Sequence, residues 1–152
     1  MRVKLQFGNW LTRLLWGGDT LYPAEQALLD ALVTGLPAKL RGTVEAQFHA
    51  YNLAQREVNG RALNFYRKAR GTVSSDGLTL LTLKAQDAPL IRITARVGGS
   101  TAPVHAVLTA VGGRAFSVTT DRPLEASERE SAVVVEHVVD SWRSNVDLYA
   151  EA

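Results

Sequence analysis

The apolar residues change their spacing partway along this chain, and that change limits the folds open to it. After Pro37, a residue suited to the first turn of a helix, Leu40, Val44, Phe48 and Tyr51 recur at steps of four, four and three. Such spacing holds all four side chains on one helical face. Lys39, Arg41, Glu45, His49, Asn52 and Arg56 fall largely elsewhere, as a solvated face requires, while Ala46, Ala50 and Ala54 favour helix and allow close packing. Asn59-Gly60 is a turn signal, since both residues tolerate positive φ. Beyond it Leu63 and Phe65 alternate with Asn64 and Tyr66, the period of a strand. The reading is a helix running to about Arg56, a break at Asn59-Gly60, and then the first strand of a sheet on which that helix packs.

Ahead of this pivot, Pro23 to Leu36 reads as another helix, with Ala27, Leu28, Ala31 and Leu32 on its apolar face. Gly35-Leu36-Pro37 leaves a short join, which makes the two helices neighbours in a hairpin over residues 23–56. Residues 1–18 begin as a strand-like alternation (Val3, Leu5, Phe7) and continue with Trp10, Leu11, Leu14 and Leu15 at helical spacing. This segment is too short to span a bilayer, and Arg13 with no cleavage pattern behind it argues against a signal peptide. A cover for one end of the core is preferred to a membrane-surface anchor.

After the pivot the chain reads as strands. Leu78–Lys84 is apolar on both faces and is expected to be central. Leu90–Val97 alternates, with Ile91, Ile93, Ala95 and Val97 inward and Arg92, Thr94 and Arg96 outward. Val104–Val111 and Arg114–Thr120 flank Gly112-Gly113, a two-residue hairpin signal. For residues 131–140 two readings compete. Ser127 with Glu130 resembles a capping box, with Val134, Val138 and Trp142 on one helical face; the run of valines favours a strand, and the strand is preferred. Short turns between strands imply antiparallel pairing. The expectation is therefore one α+β domain over residues 1–152: a helical hairpin packed on one face of a mostly antiparallel sheet of five to six strands spanning 61–140. Its expected core is Leu28, Leu32, Leu40, Val44, Phe48, Leu63, Phe65, Leu80, Ile91, Ile93, Val107, Phe116 and Val118.

At 152 residues such a domain buries roughly two-thirds of its unfolded surface and needs no staple. The absence of cysteine removes disulfides, thiolate nucleophiles and Cys-based metal sites. A cytoplasmic protein without a transmembrane segment is expected. The formal net charge is +2, unevenly spread: ten Lys/Arg against five Asp/Glu up to Gly71, five against three from Thr72 to Leu124, and two against seven from Glu125 onward. The ends can simply neutralise one another in the fold, or they can mark an anionic partner for the front or a cationic one for the tail.

Few constellations carry chemistry. His49 stands four residues after Glu45, where a contact along the helix explains it. His105 and His137 lie in different strands and would need Glu136 or Asp140 beside them to bind a metal or act as a base, with no HxH, HExxH or Asp-rich loop in support. There is no GxSxG elbow and no S-x-x-K motif, and the Gly-Gly pairs lack phosphate-loop spacing. No catalytic residue, metal site or cofactor is predicted. The non-random feature is basic: Arg61, Arg67, Lys68, Lys84, Arg92, Arg96 and Arg114 come from successive strands. Alternate strand positions share a face, so Arg67, Arg92 and Arg96, with Tyr66 among them, are the predicted binding residues. The function expected is a non-enzymatic module, an adaptor or immunity-type inhibitor, that recognises an acidic protein through a basic sheet face. A charge of +2 speaks against nucleic acid. The competing reading is a cone-shaped pocket protein, a ligand carrier or small enzyme, with Tyr51, His105 or His137 reaching into an apolar cavity. Self-association through exposed strand edges is a third.

Overall fold

A computed structural model describes residues 20–69 and 72–148. Two helices, α1 (Pro23–Thr34) and α2 (Ala38–Ala50), precede strands β1 (Leu53–Arg56), β2 (Ala62–Tyr66), β3 (Lys68–Ala69), β4 (Thr72–Val73), β5 (Asp87–Val97), β6 (Val104–Val111), β7 (Arg114–Thr120) and β8 (Val133–Val139); a four-residue helix, α3 (Trp142–Asn145), follows. Six strands form one sheet in the order β1-β2-β7-β6-β5-β8, every neighbouring pair antiparallel, and β3 and β4 form a separate ribbon. The helices pack on one face of this sheet. The expected α+β architecture is therefore what the chain adopts. The readings made for residues 1–18 lie outside the described residues.

Each helix has a local cause. Pro23 opens α1 in the first turn, and the Glu25 carboxylate reaches back to accept the Tyr22 N–H at 2.7 Å. Leu28, Leu29, Leu32 and Val33 form its buried stripe. At its end Gly35 lies so close to β5 that a Cβ there would sit 2.6 Å from Ile91 Cδ1. In α2, Leu40, Val44, Gln47 and Phe48 are buried. Phe48 meets Phe65 edge-on with ring centroids 5.0 Å apart, and Tyr51 edge-on at 5.4 Å. Such aromatic pairs contribute about 1 kcal/mol beyond area burial.

The helix ends six residues earlier than its alanines suggest. Tyr51 is already extended, at φ −71° and ψ 138°. Asn52 holds that exit: its side chain donates to the Lys68 carbonyl at 2.7 Å and accepts the Lys68 N–H at 2.8 Å. Residues 53–56 are thus β1, paired with β2 from Leu53↔Tyr66 to Arg56↔Leu63. Asn59-Gly60 turns a β-hairpin rather than joining a helix to a strand, with Gly60 at φ 71°. Pairing along the sheet outweighs the helix propensity of Ala54, which is worth only tenths of a kcal/mol.

Leu78–Lys84 is not a strand of the sheet. It crosses the sheet's end, held by Leu81 N–H to Gly113 O at 2.7 Å, Lys84 N–H to Asn145 O at 3.0 Å and a single bridge between Leu83 and Val146. Because β5, β6 and β7 pair directly through consecutive hairpins, no central place is left for it. Leu81 turns inward and Leu80 stays 46 % exposed, so Leu80 is no core residue. Val107 and Phe116 are half-buried on the face away from the helices; the inward row of β6 is Val104, Ala106, Leu108 and Ala110. A bulge between Thr109 and Ala110 opposes Ala115 and Ser117 in turn and leaves Phe116 unpaired. The other expected core residues are buried.

The Tyr51 hydroxyl donates to the Ala115 carbonyl at 2.5 Å from a ring only 1 % exposed. Burial pushes its pKa up to about 12, against a smaller opposing pull from Arg114. The folded pKa exceeds the unfolded one, so this contribution is complete below pH 10 and is lost as pH rises toward 12. The shift corresponds to about 3 kcal/mol. Urea denaturation of the wild type is therefore expected to show stability falling between those two values. Tyr51→Phe should begin less stable at pH 8 by about 1 kcal/mol and show a shallower fall; equal slopes would rule out Tyr51 as the group responsible.

Candidate binding face

The helices cover one face of the sheet, and the opposite face carries the candidate residues. Directly opposed residues in antiparallel strands share a face, which gives the layout. On β5, Arg92, Thr94 and Arg96 point away from the helices, while Ile93, Ala95 and Val97 are buried beneath. Thr94 is flanked by a histidine on each side: His105 of β6 and His137 of β8 both register with it. His105 Nδ1 lies 3.0 Å from Thr94 Oγ1. On its other side His105 Nε2 is 4.0 Å from the Asp121 carboxylate, which accepts the His105 backbone N–H at 2.9 Å.

Threonine, imidazole and carboxylate in that order resemble a nucleophile–base–orienter set. The 4.0 Å separation exceeds a hydrogen bond, and the histidine and aspartate are 54 % and 46 % exposed at their side chains. Water therefore competes for each group. Among the described residues no cluster of three His, Asp or Glu side chains has metal-binding geometry. What this rung offers is a set of hydrogen-bonding groups between two guanidinium groups.

Of the predicted binding residues, Arg92 and Arg96 come together on one strand, about 13 Å apart at four residues of rise. Arg96 pairs with Glu136 of β8 and donates to the Thr101 carbonyl at 3.0 Å. Among the described residues Arg92 makes no ion pair. Tyr66 belongs to β2, three strand spacings away, or about 14 Å. It packs edge-on against Phe116 with centroids 5.3 Å apart, and the Arg114 guanidinium stands 5.9 Å from the Phe116 ring. Arg67 donates to the Asp76 carbonyl. The open face thus has two separate clusters, an arginine row on β5 and an aromatic–arginine cluster on β7 and β2.

Sequence reading placed Thr94 between the two arginines but did not bring Glu136 and His137 to that row. Their common rung depends on a bulge in β8, where Thr94 opposes His137 and Ala95 opposes Val135, leaving Glu136 unpaired in the ladder. The segment leading to β8 is braced by Arg122, whose guanidinium donates to both Glu128 carboxylate oxygens at 2.7 and 2.8 Å. Glu128 also accepts the Glu125 N–H at 2.9 Å and is buried. Those bonds, that from Arg122 foremost, hold the Glu128 carboxyl below its ordinary range despite burial.

The space between helices and sheet is filled by Phe48, Tyr51 and Phe65. A pocket lined by Glu25, Leu28, Leu63, Val118 and Leu124 among others measures about 20 Å³, room for about one water. Tyr51 lies in the core, whereas His105 and His137 sit on the open face, so the three do not converge. No described helix is long and apolar enough to cross a membrane.

Compared with protein-family models, with curated proteins and with solved structures, the chain has no match.

Proposed function

We propose that this protein is a non-enzymatic binding module whose open sheet face takes an acidic segment of another protein. The observation that carries the reading is a sheet face, opposite the one the described helices cover, on which Arg92, Thr94 and Arg96 project from one interior strand. The fit is to an extended segment with carboxylates four residues apart, since that spacing repeats the distance of about 13 Å between the arginines. Thr94, His105 and His137 supply hydrogen-bonding groups between them. Arg92 brings a charge not already paired among the described residues. Arg96 would have to exchange Glu136 for the partner, at little cost, because an ion pair this exposed is worth about 0–1 kcal/mol.

Charge reversal tests it. Arg92→Glu with Arg96→Glu is expected to abolish partner capture from lysate while lowering the free energy of unfolding by no more than about 1 kcal/mol, the most that an exposed ion pair such as Arg96–Glu136 contributes. Capture by the wild type should weaken as salt rises, because exposed charges are screened. Undiminished capture by the reversed variant would exclude this face.

A further inference from the structure

The two edges of the sheet differ sharply. β1 is four residues long and ends in Arg56, which is tied to Glu25. β8 is seven residues long, contains neither lysine nor proline, and leaves Val134, Val135, Val138 and Val139 exposed by 64, 39, 43 and 44 %. A long apolar edge without such blocking residues is a template for another strand.

The strand's own pattern says which one. The β5 register puts Val134, His137 and Val139 on the open face and Val135 and Val138 on the helix face. Glu136 pairs with Arg96 and so shares the open face with His137. Two consecutive residues on one side are the signature of the bulge. In an unbulged strand, residues five apart such as Val134 and Val139 would face opposite ways. Here the bulge brings them to the same side, and residues 134–139, Val-Val-Glu-His-Val-Val, read alike about the midpoint between 136 and 137.

We infer that β8 pairs antiparallel with β8 of a second copy of this chain across a two-fold axis between Glu136 and His137. Val134 then opposes the second copy's Val139, Val135 opposes Val138, and Glu136 opposes His137. Every opposed pair lies on a common face, valine meets valine, and the carboxylate meets an imidazole. The alternative with Glu136 opposite itself sets like charges together and sends Val134 against the inward Val138. An isologous contact of this kind closes on itself. It joins the two sheets into one of twelve strands, with the two β5 arginine rows on the same face about 14 Å apart, at three strand spacings.

The chain has no cysteine, which makes the register directly readable. Light scattering is expected to give about twice the 16.5 kDa chain mass. Val135→Lys with Val138→Lys, at positions 39 and 43 % exposed, should return the single-chain mass with an unchanged circular dichroism spectrum, and with a melting temperature that no longer rises with protein concentration. Under mild oxidation, Val134→Cys mixed with Val139→Cys should yield a disulfide-linked dimer. Neither variant alone should do so, because like positions lie about 15 Å apart, beyond disulfide reach. A single-chain mass at every concentration, dimers that survive the lysines, or cross-linking by one cysteine variant alone would each overturn the pairing. The variant reversed at Arg92 and Arg96 should still dimerise, which separates this inference from the open-face reading.

Discussion

Replacing Phe48 with alanine is expected to lower the free energy of unfolding by about 4 kcal/mol, within the range for buried aromatic truncations. Phe48 is fully buried and joins the buried face of α2, the helix exit at Tyr51 and Phe65 of β2. Both partners are themselves large and held, Tyr51 by its bond to Ala115 and Phe65 by its place in β2. The surroundings therefore have little freedom to collapse into the space left, which is the condition for a large cavity penalty. Against a typical stability of about 5–15 kcal/mol, the loss should move the urea midpoint strongly while the slope stays constant. Phe48→Leu, which keeps most of the volume, should cost far less. A loss under about 1 kcal/mol for the alanine variant would mean the aromatic cluster is not a packing centre.

The second large effect belongs to a polar residue. Gln47 is 1 % exposed, and its amide is fully used. Nε2 donates to Thr79 O at 2.7 Å and to Gly113 O at 3.0 Å, and Oε1 accepts Ala115 N–H at 2.8 Å. One side chain on α2 thus ties down the β6–β7 turn and the segment that crosses the sheet's end. Gln47→Leu keeps the size but strands the Ala115 N–H in the interior. An orphaned buried group costs about 1–3 kcal/mol, and with the two donor bonds also gone the expected loss is about 3 kcal/mol. Gln47→Glu should be worse at neutral pH, since a carboxylate would face two carbonyl oxygens without water. Its deficit should shrink as pH falls and the acid becomes protonated. Equal stability of the leucine and glutamate variants at pH 7 would show that the amide donors contribute nothing.

Much of the fold was legible because its signals are local. The two helices follow apolar spacing and proline placement, and the β6–β7 hairpin follows Gly112-Gly113, both at positive φ. The β-branched run before Trp142 forms a strand, as β-branching favours. What the sequence hid depends on distant partners. The end of α2 is decided by Asn52 bonding to Lys68, sixteen residues on. The leucines at 78–83 alternate with threonine like a strand, yet nothing local reveals that neighbouring strands already close on one another. Val107 and Leu108 are both apolar, so the pattern of β6 does not reveal its phase. Phe116 lies at a bulge, where alternation fails. The candidate face was legible in part for the same reason: Arg92 and Arg96 share one strand, whereas Tyr66 and Arg67 join them only if strand order is guessed correctly.

The place of β7 in the sheet bears on how the chain comes together. β7 lies between β2 and β6, so residue 63 must find residue 118 before the first hairpin has a neighbour beyond itself. A ribosome would expose both helices and the β1–β2 hairpin long before the strand that anchors them emerges. Closing so long a loop delays the rate-limiting encounter, and folding on a millisecond-to-second scale, characteristic of sheets with distant pairings, is the kinetic consequence. During that wait the early apolar surfaces stand unsheltered, the condition under which aggregation competes with folding.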